Sequence, residues 1–95
     1  MIFVKEHFYN GRKLLSICDG NLIGKEFEEG KKVLNISKTF YHGEPMFEKD
    51  ILELIEQDTL LNIVGEESVR FALKNNLIDK EGIAKIKEIP YAMRL

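Results

Sequence analysis

An α+β domain is the fold this sequence predicts. An N-terminal β-hairpin and further short strands form a mixed or antiparallel sheet, packed against two or three helices between about residues 47 and 77. Three observations carry that reading. Two β-type runs, 2–8 and 13–18, flank Asn10-Gly11. The apolar period lengthens to that of a helix at Phe47, and a β-type run returns at Ile83. Strands first, helices next and a strand last describe an α+β arrangement rather than alternating βαβ units.

Asn-Gly between such runs is the strongest short hairpin signal, because a type I′ turn needs positive φ at both central positions. Centred there, the turn opposes Phe8 to Lys13, Glu6 to Leu15, Val4 to Ile17 and Phe3 to Cys18. Opposed residues share a face. Val4, Leu15 and Ile17 therefore line one side, and Phe3, Leu14 and Cys18 the other. Both sides are partly apolar, which predicts a hairpin covered on both faces.

Asp19-Gly20-Asn21 reads as a turn before the short run 22–27, and Glu28-Glu29-Gly30 turns the chain again. Residues 32–38 alternate, with Leu34 and Ile36 on one face, and read as a strand; 40–45 reads as a loop. Phe47, Ile51, Leu54 and Ile55 then recur at helical spacing, with Glu48 and Asp50 suited to the positive end of the helix dipole. The apolar run 60–64 reads as a continuation of that helix or a second short one. That makes 58–67 a joint between two packed helices, broken at Gly65.

Val69, Ala72, Leu73 and Asn76 trace the next helix. Asn75-Asn76 supplies its left-handed end, and Leu77 and Ile78 pack back. Asp79-Lys80-Glu81-Gly82 fits a type I turn. A strand over 83–89 is stopped by Pro90, and 91–95 adds a short edge strand.

Ninety-five residues make a single domain, 1–95, with room for one modest core. Apolar residues at 44% and charged residues at 32% are a globular composition. A net charge of −2 gives no global field for phosphate backbones or anionic membranes, so any nucleic-acid contact must use a local patch. Cys18 is the single cysteine, which rules out an internal disulfide and a cysteine-based zinc site. The first residues lack a basic n-region and a long apolar stretch, and no run approaches the roughly 18–20 apolar residues of a spanning helix. Cytoplasm is the expected compartment, with no membrane partner.

Few motifs carry chemistry. Gly20-Asn21-Leu22-Ile23-Gly24-Lys25-Glu26 resembles a phosphate loop only loosely: the glycines are one residue too close, and Glu26 stands where a hydroxyl must reach Mg²⁺. His42-Gly43-Glu44 could form an acid–base pair, but no nucleophile or orienting group accompanies it. His7, Cys18, Asp19 and His42 are not paired at ligand spacing, so no metal or cofactor is expected. Lys31, Lys32 and Lys38 with Phe40 and Tyr41 make the nearest approach to a basic–aromatic surface, the type that holds single-stranded RNA. Asn62 and Gly65 interrupt an apolar run and call for a structural or pocket role. A buried amide needs partners, and a glycine admits positive φ.

Several stretches together carry a resemblance. They are Cys18-Asp19 with Leu22-Ile23-Gly24-Lys25 and Phe27; Phe40-Tyr41 with Gly43-Glu44; Leu61-Asn62-Ile63-Val64-Gly65-Glu66; and Ile89-Pro90-Tyr91-Ala92. The chain resembles the small archaeal family catalogued as domain of unknown function 424 over nearly its whole length. The resemblance implies a short, single-domain, cytoplasmic protein of archaeal source, in a family that some descriptions class as RNA-binding. It carries over no catalytic residue. His42 stands where the family commonly has a second glycine, and Tyr91 where it commonly has a histidine. Tyr91 speaks against a universal catalytic role at that position.

Three functions follow as expectations. The first is a small binding module, with RNA or a translation-related protein as partner, using Lys31, Lys32, Lys38, Phe40 and Tyr41. The second is an enzyme acting through His42 and Glu44 in a pocket with Asn62. The third is a protein-interaction or dimerisation module, which a large exposed apolar patch would mark. The oligomeric state is not legible in the sequence.

Overall fold

The computed structural model describes residues 1–95. Eight strands and three helices follow in the order β1 (Ile2–Tyr9), β2 (Arg12–Asp19), β3 (Glu26–Glu29), β4 (Lys32–Asn35), α1 (Lys38–Tyr41), β5 (Glu44–Met46), α2 (Glu48–Leu54), β6 (Leu60–Val64), α3 (Glu66–Lys74), β7 (Ala84–Ile86) and β8 (Ile89–Arg94). A six-stranded mixed sheet runs β5-β1-β2-β6-β8-β7, and β3-β4 form a separate hairpin. The fold is α+β, as the order of apolar patterns predicts.

The first hairpin has the register set by its turn. Phe8 opposes Lys13, Glu6 opposes Leu15, Val4 opposes Ile17 and Phe3 opposes Cys18. Asn10 and Gly11 have φ of 51° and 79°, the double positive φ that a type I′ turn demands. Both faces are covered only at the end away from the turn; near the turn Phe8 and Tyr9 are exposed, against the expectation of a hairpin covered throughout. Ile2, Val4, Leu15 and Ile17 join Leu61 and Ile63 beneath α2 and α3, where Ile51, Val69, Phe71 and Ala72 complete the main core. On the opposite face Cys18 and Val64 pack with Leu22, Ile36 and Tyr41 from the β3–β4 and α1 segment.

The largest correction concerns 60–64. This run is not helical; it is β6, parallel to β2 with Ile17 opposite Ile63, and antiparallel to β8. A five-residue run with apolar residues on both faces has no clean alternation of hydropathy, so periodicity cannot separate it from a buried helical turn. The joint at Gly65 is therefore between a strand and a helix.

Phe47 is a second correction. It precedes α2 and is 75% exposed, while Ile51 anchors the helix in the core. Residues 40–45 are not a loop throughout. Ser37 caps α1 by accepting the Phe40 N–H at 3.3 Å, and Glu44–Met46 pairs with β1 as an edge strand. Finally, Pro90 does not end a strand. The chain turns at Lys87-Glu88, both at positive φ, and Pro90 lies within β8, an interior strand between β6 and β7.

Helix α3 ends as its sequence predicts. Asn76 is left-handed at φ 58°, and the Leu77 N–H donates to the Ala72 carbonyl at 2.8 Å. Its start is unusual. Gly65 occupies the cap position at φ 109° and has no side chain to offer. The cap comes instead from Asp19 at the end of β2, and a Cβ on Gly65 would overlap that carboxylate.

Candidate functional site

The register divides the central strands into two faces. Away from α2 and α3 lie Phe3, Lys5, His7 and Tyr9 of β1, Arg12, Leu14, Ser16 and Cys18 of β2, Leu60, Asn62 and Val64 of β6, and Tyr91 and Met93 of β8. The half of this face near Cys18 and Val64 is covered. The half near the β1–β2 turn is open: Tyr9 is 69% exposed and Met93 54%, with Leu14 and Leu60 half-buried between them.

Charge is segregated as well. None of the 16 acidic residues occupies this face of the four strands, whereas Lys5, His7 and Arg12 do. Glu6 and Asp19, the acids of β1 and β2, take the other side. Arg12 and Tyr9 are direct cross-strand partners at the open end. Arg12 donates one guanidinium N–H to the Asp58 carbonyl at 3.0 Å and keeps its others for solvent or a ligand.

Helix α1 borders the open half and is tied to it by its own carbonyls. Lys5 Nζ donates to the Thr39 carbonyl at 2.6 Å, and Ser16 Oγ to the Phe40 carbonyl at 2.9 Å. His7 Nε2 lies 3.0 Å from the same carbonyl and must carry the proton, since a carbonyl only accepts. The His7 ring stacks on Phe40 with centroids 4.3 Å apart and planes 13° off parallel. These bonds satisfy the carbonyls that a short helix leaves orphaned at its end.

Tyr41 closes the covered half. It is 6% exposed and donates its hydroxyl to Asn62 Oδ1 at 3.1 Å. Burial, with the neighbouring Cys18, pushes its phenol up to about 12. Burial and then the Asp19 carboxylate push the Cys18 thiol up to about 12. Both stay neutral and unreactive at ordinary pH.

The residues singled out in the sequence do not all meet. Phe40 stands on α1 over β1 and β2, stacked on His7, whereas the Lys38 side chain lies along Gly24. Lys31 and Lys32 lie at the tip of the β3–β4 hairpin, which packs along β7 at the far edge of the sheet. The Tyr41 ring is interior and offers no face for stacking. Asn62 is half-buried and bonds to a side chain rather than to backbone. Missing from the sequence selection were Lys5, Tyr9 and Arg12, whose common face follows from the hairpin register alone.

His42 stacks on Phe3, with centroids 5.7 Å apart, on the face away from α2 and α3 and at the Cys18 end. Glu44 pairs with Val4 and so faces the helical side; no hydrogen bond links it to His42. Clefts of about 630, 500 and 250 Å³ exist, and none includes His42, Glu44 or Asn62. The second is apolar, between Met1, Met46 and Phe47. No group of three His, Cys, Asp or Glu side chains is placed to hold a metal ion.

A family model described as "Protein of unknown function (DUF424)" matches residues 7–94. The chain belongs to the DUF424 family. The matched span takes in the open face from His7 to Met93 and leaves Lys5 outside it. The DUF424 fold is also that of a solved structure, the crystal structure of an uncharacterized conserved protein from Methanopyrus kandleri. That chain is 20% identical, with a TM-score of 0.79 over 98% of this chain and 89% of the other. At that identity the likeness shows the fold alone. A comparison with curated proteins finds no match.

Proposed function

We propose that this DUF424 protein is a binding module for single-stranded RNA, and that its contact surface is the open half of the sheet together with α1. The observation that carries the reading is charge segregation: a chain of net charge −2 keeps one half-exposed strand face free of acids and places Lys5, His7 and Arg12 on it. A polyanion is the ligand such a surface complements. Arg12 and Lys5 serve as phosphate contacts, and the exposed Tyr9 ring as a stacking platform, the combination by which single strands are held. The shallow apolar strip of Leu14, Leu60 and Met93 suits unpaired bases better than the grooves and phosphate ridges of a duplex.

The enzyme reading has less support. His42 and Glu44 are on opposite sides of the sheet, and the Cys18 and Tyr41 hydrogens are held too tightly for nucleophilic work. The proposed compartment is the cytoplasm, where a single-stranded RNA partner is met; no helix is long and apolar enough to cross a membrane.

The test is a titration of labelled single-stranded RNA at low and moderate salt. Affinity should fall by about 0.7 log units per log unit of salt for each phosphate contacted. Arg12→Ala should flatten that slope, and Tyr9→Ala should weaken binding by roughly 1–3 kcal/mol. Lys32→Ala, at the far edge of the sheet, should do neither. Binding that responds to Lys32 and ignores Arg12 places the site elsewhere.

A further inference from the structure

The hairpin of β1 and β2 outruns the sheet that carries it. β5 pairs with β1 only as far as Val4, and β6 pairs with β2 only from Leu14. The last cross-strand pairs, Phe8 with Lys13 and Tyr9 with Arg12, therefore form a two-stranded ribbon with no third strand, closed by the Asn10-Gly11 turn. Consecutive strand residues point to opposite faces. Tyr9 stands on one face of the ribbon and Phe8 on the other. Neither ring is covered: Phe8 is 73% exposed and Tyr9 69%, and both stay outside the two core clusters.

Each ring has a cation as its direct cross-strand neighbour. Residues 7–13 hold two of the 14 Lys and Arg and none of the 16 acids, in a chain of net charge −2. Glu56 pairs with Lys13 at 3.5 Å, but its side chain is 72% exposed, and such a surface pair is weak enough for a phosphate to replace. An exposed ring beside a free or displaceable cation suits an unpaired base and its phosphate. Rings on the two faces of a ribbon stand on the order of 10 Å apart, whereas successive nucleotides of a duplex strand rise about 3.4 Å. A ligand that engages both rings must open its stack, which a single strand does more readily than a duplex.

We infer that the β1–β2 turn is a two-sided stacking finger. A single strand crosses Asn10-Gly11, laying one base on Tyr9 and a later one on Phe8, with Arg12 and Lys13 holding phosphates on the two sides. This inference rests on the RNA-binding reading above and adds a second contact face to it.

The probe is an oligouridine of about 12 nucleotides at low salt, a length within the range of single-strand sites. Phe8→Ala should weaken its binding by roughly 5- to 150-fold, the effect of one stacked base, although Phe8 lies off the open face. Phe8→Tyr should retain the affinity. In a Tyr9→Ala background Phe8→Ala should bring its full further loss, because the two rings stand on separate faces and share no base. Lys13→Ala should flatten the salt dependence as Arg12→Ala does. The inference is overturned, with the RNA-binding reading left standing, where Tyr9→Ala and Arg12→Ala weaken binding and Phe8→Ala does not. A Phe8→Ala effect that vanishes once Tyr9 is removed overturns it as well, since Phe8 then acts only through its neighbour. No binding by the unaltered protein overturns both.

Discussion

Asp19 and Ser68, 49 residues apart in sequence, are joined by two hydrogen bonds to one oxygen. Asp19 Oδ1 accepts the Ser68 N–H at 2.8 Å and the Ser68 hydroxyl at 2.7 Å. The second oxygen accepts the Glu67 N–H at 3.0 Å. The last residue of β2 thus caps α3, and a helix that begins on a glycine receives its anion from the neighbouring strand.

Removing that cap should be costly. Asp19→Ala leaves two helix-start N–H groups and a buried hydroxyl without their acceptor, and should lower stability by about 2–4 kcal/mol. Asp19→Asn retains an acceptor and should cost less. Urea unfolding of the three proteins checks the order. Equal stability of all three would show the cap to be dispensable.

Gly65 is coupled to the same carboxylate. Gly65→Ala combines a φ of 109° with a Cβ that overlaps Asp19, so it should destabilise by about 2 kcal/mol or more. The two substitutions should not add, because Asp19→Ala removes the overlapped group and leaves only the backbone strain. A double-mutant cycle measures this, and strict additivity would separate the two residues.

The Tyr41–Asn62 bond has a stability consequence apart from any ligand. Asn62→Leu strands the buried Tyr41 hydroxyl and should cost about 1–3 kcal/mol. Adding Tyr41→Phe removes the stranded group and should recover most of the loss. Failure of the second change to rescue the first would mean that Asn62 acts through packing.

Alkaline pH should loosen the fold through Tyr41 and Cys18. Their ordinary values are 10.0 and 9.0, and in the folded chain both stand near 12. Each is an acid that the fold keeps protonated, so its stabilising effect is complete below the unfolded value. That effect is lost as pH rises from about 9 towards 12. Stability measured across that window should decline, and less steeply in Tyr41→Phe. Thiol reagents at neutral pH should react with Cys18 only at the rate of opening; prompt labelling would contradict its burial.

The parts of this fold legible in the sequence are those with local causes. Asn10-Gly11 sets the register of β1 on β2 by turn geometry, and Asn76 ends α3 by its tolerance of positive φ. β6 was not legible because its partners, β2 and β8, lie far off in sequence, and a run with apolar residues on both faces carries no clear period. The same distinction governs the site. Lys31 and Lys32 stand close to Lys38 in sequence, but the hairpin carries them to the β7 edge. Lys5, His7, Tyr9 and Arg12 share a face by strand alternation, which the sequence does contain. The acid-free character of that face emerges only when β6 and β8 are laid beside it.

Backbone and side-chain amide NMR of the labelled protein, titrated with a single-stranded oligouridine at low salt, tests the proposed interface most directly. The account predicts shifts gathered on Lys5, His7, Tyr9, Arg12, Leu60, Asn62 and Met93 and on α1, with α2, α3 and the Lys31–Lys32 tip unmoved. Shifts gathered on the helical side or at that tip, or a spectrum unchanged by the oligonucleotide, would contradict it.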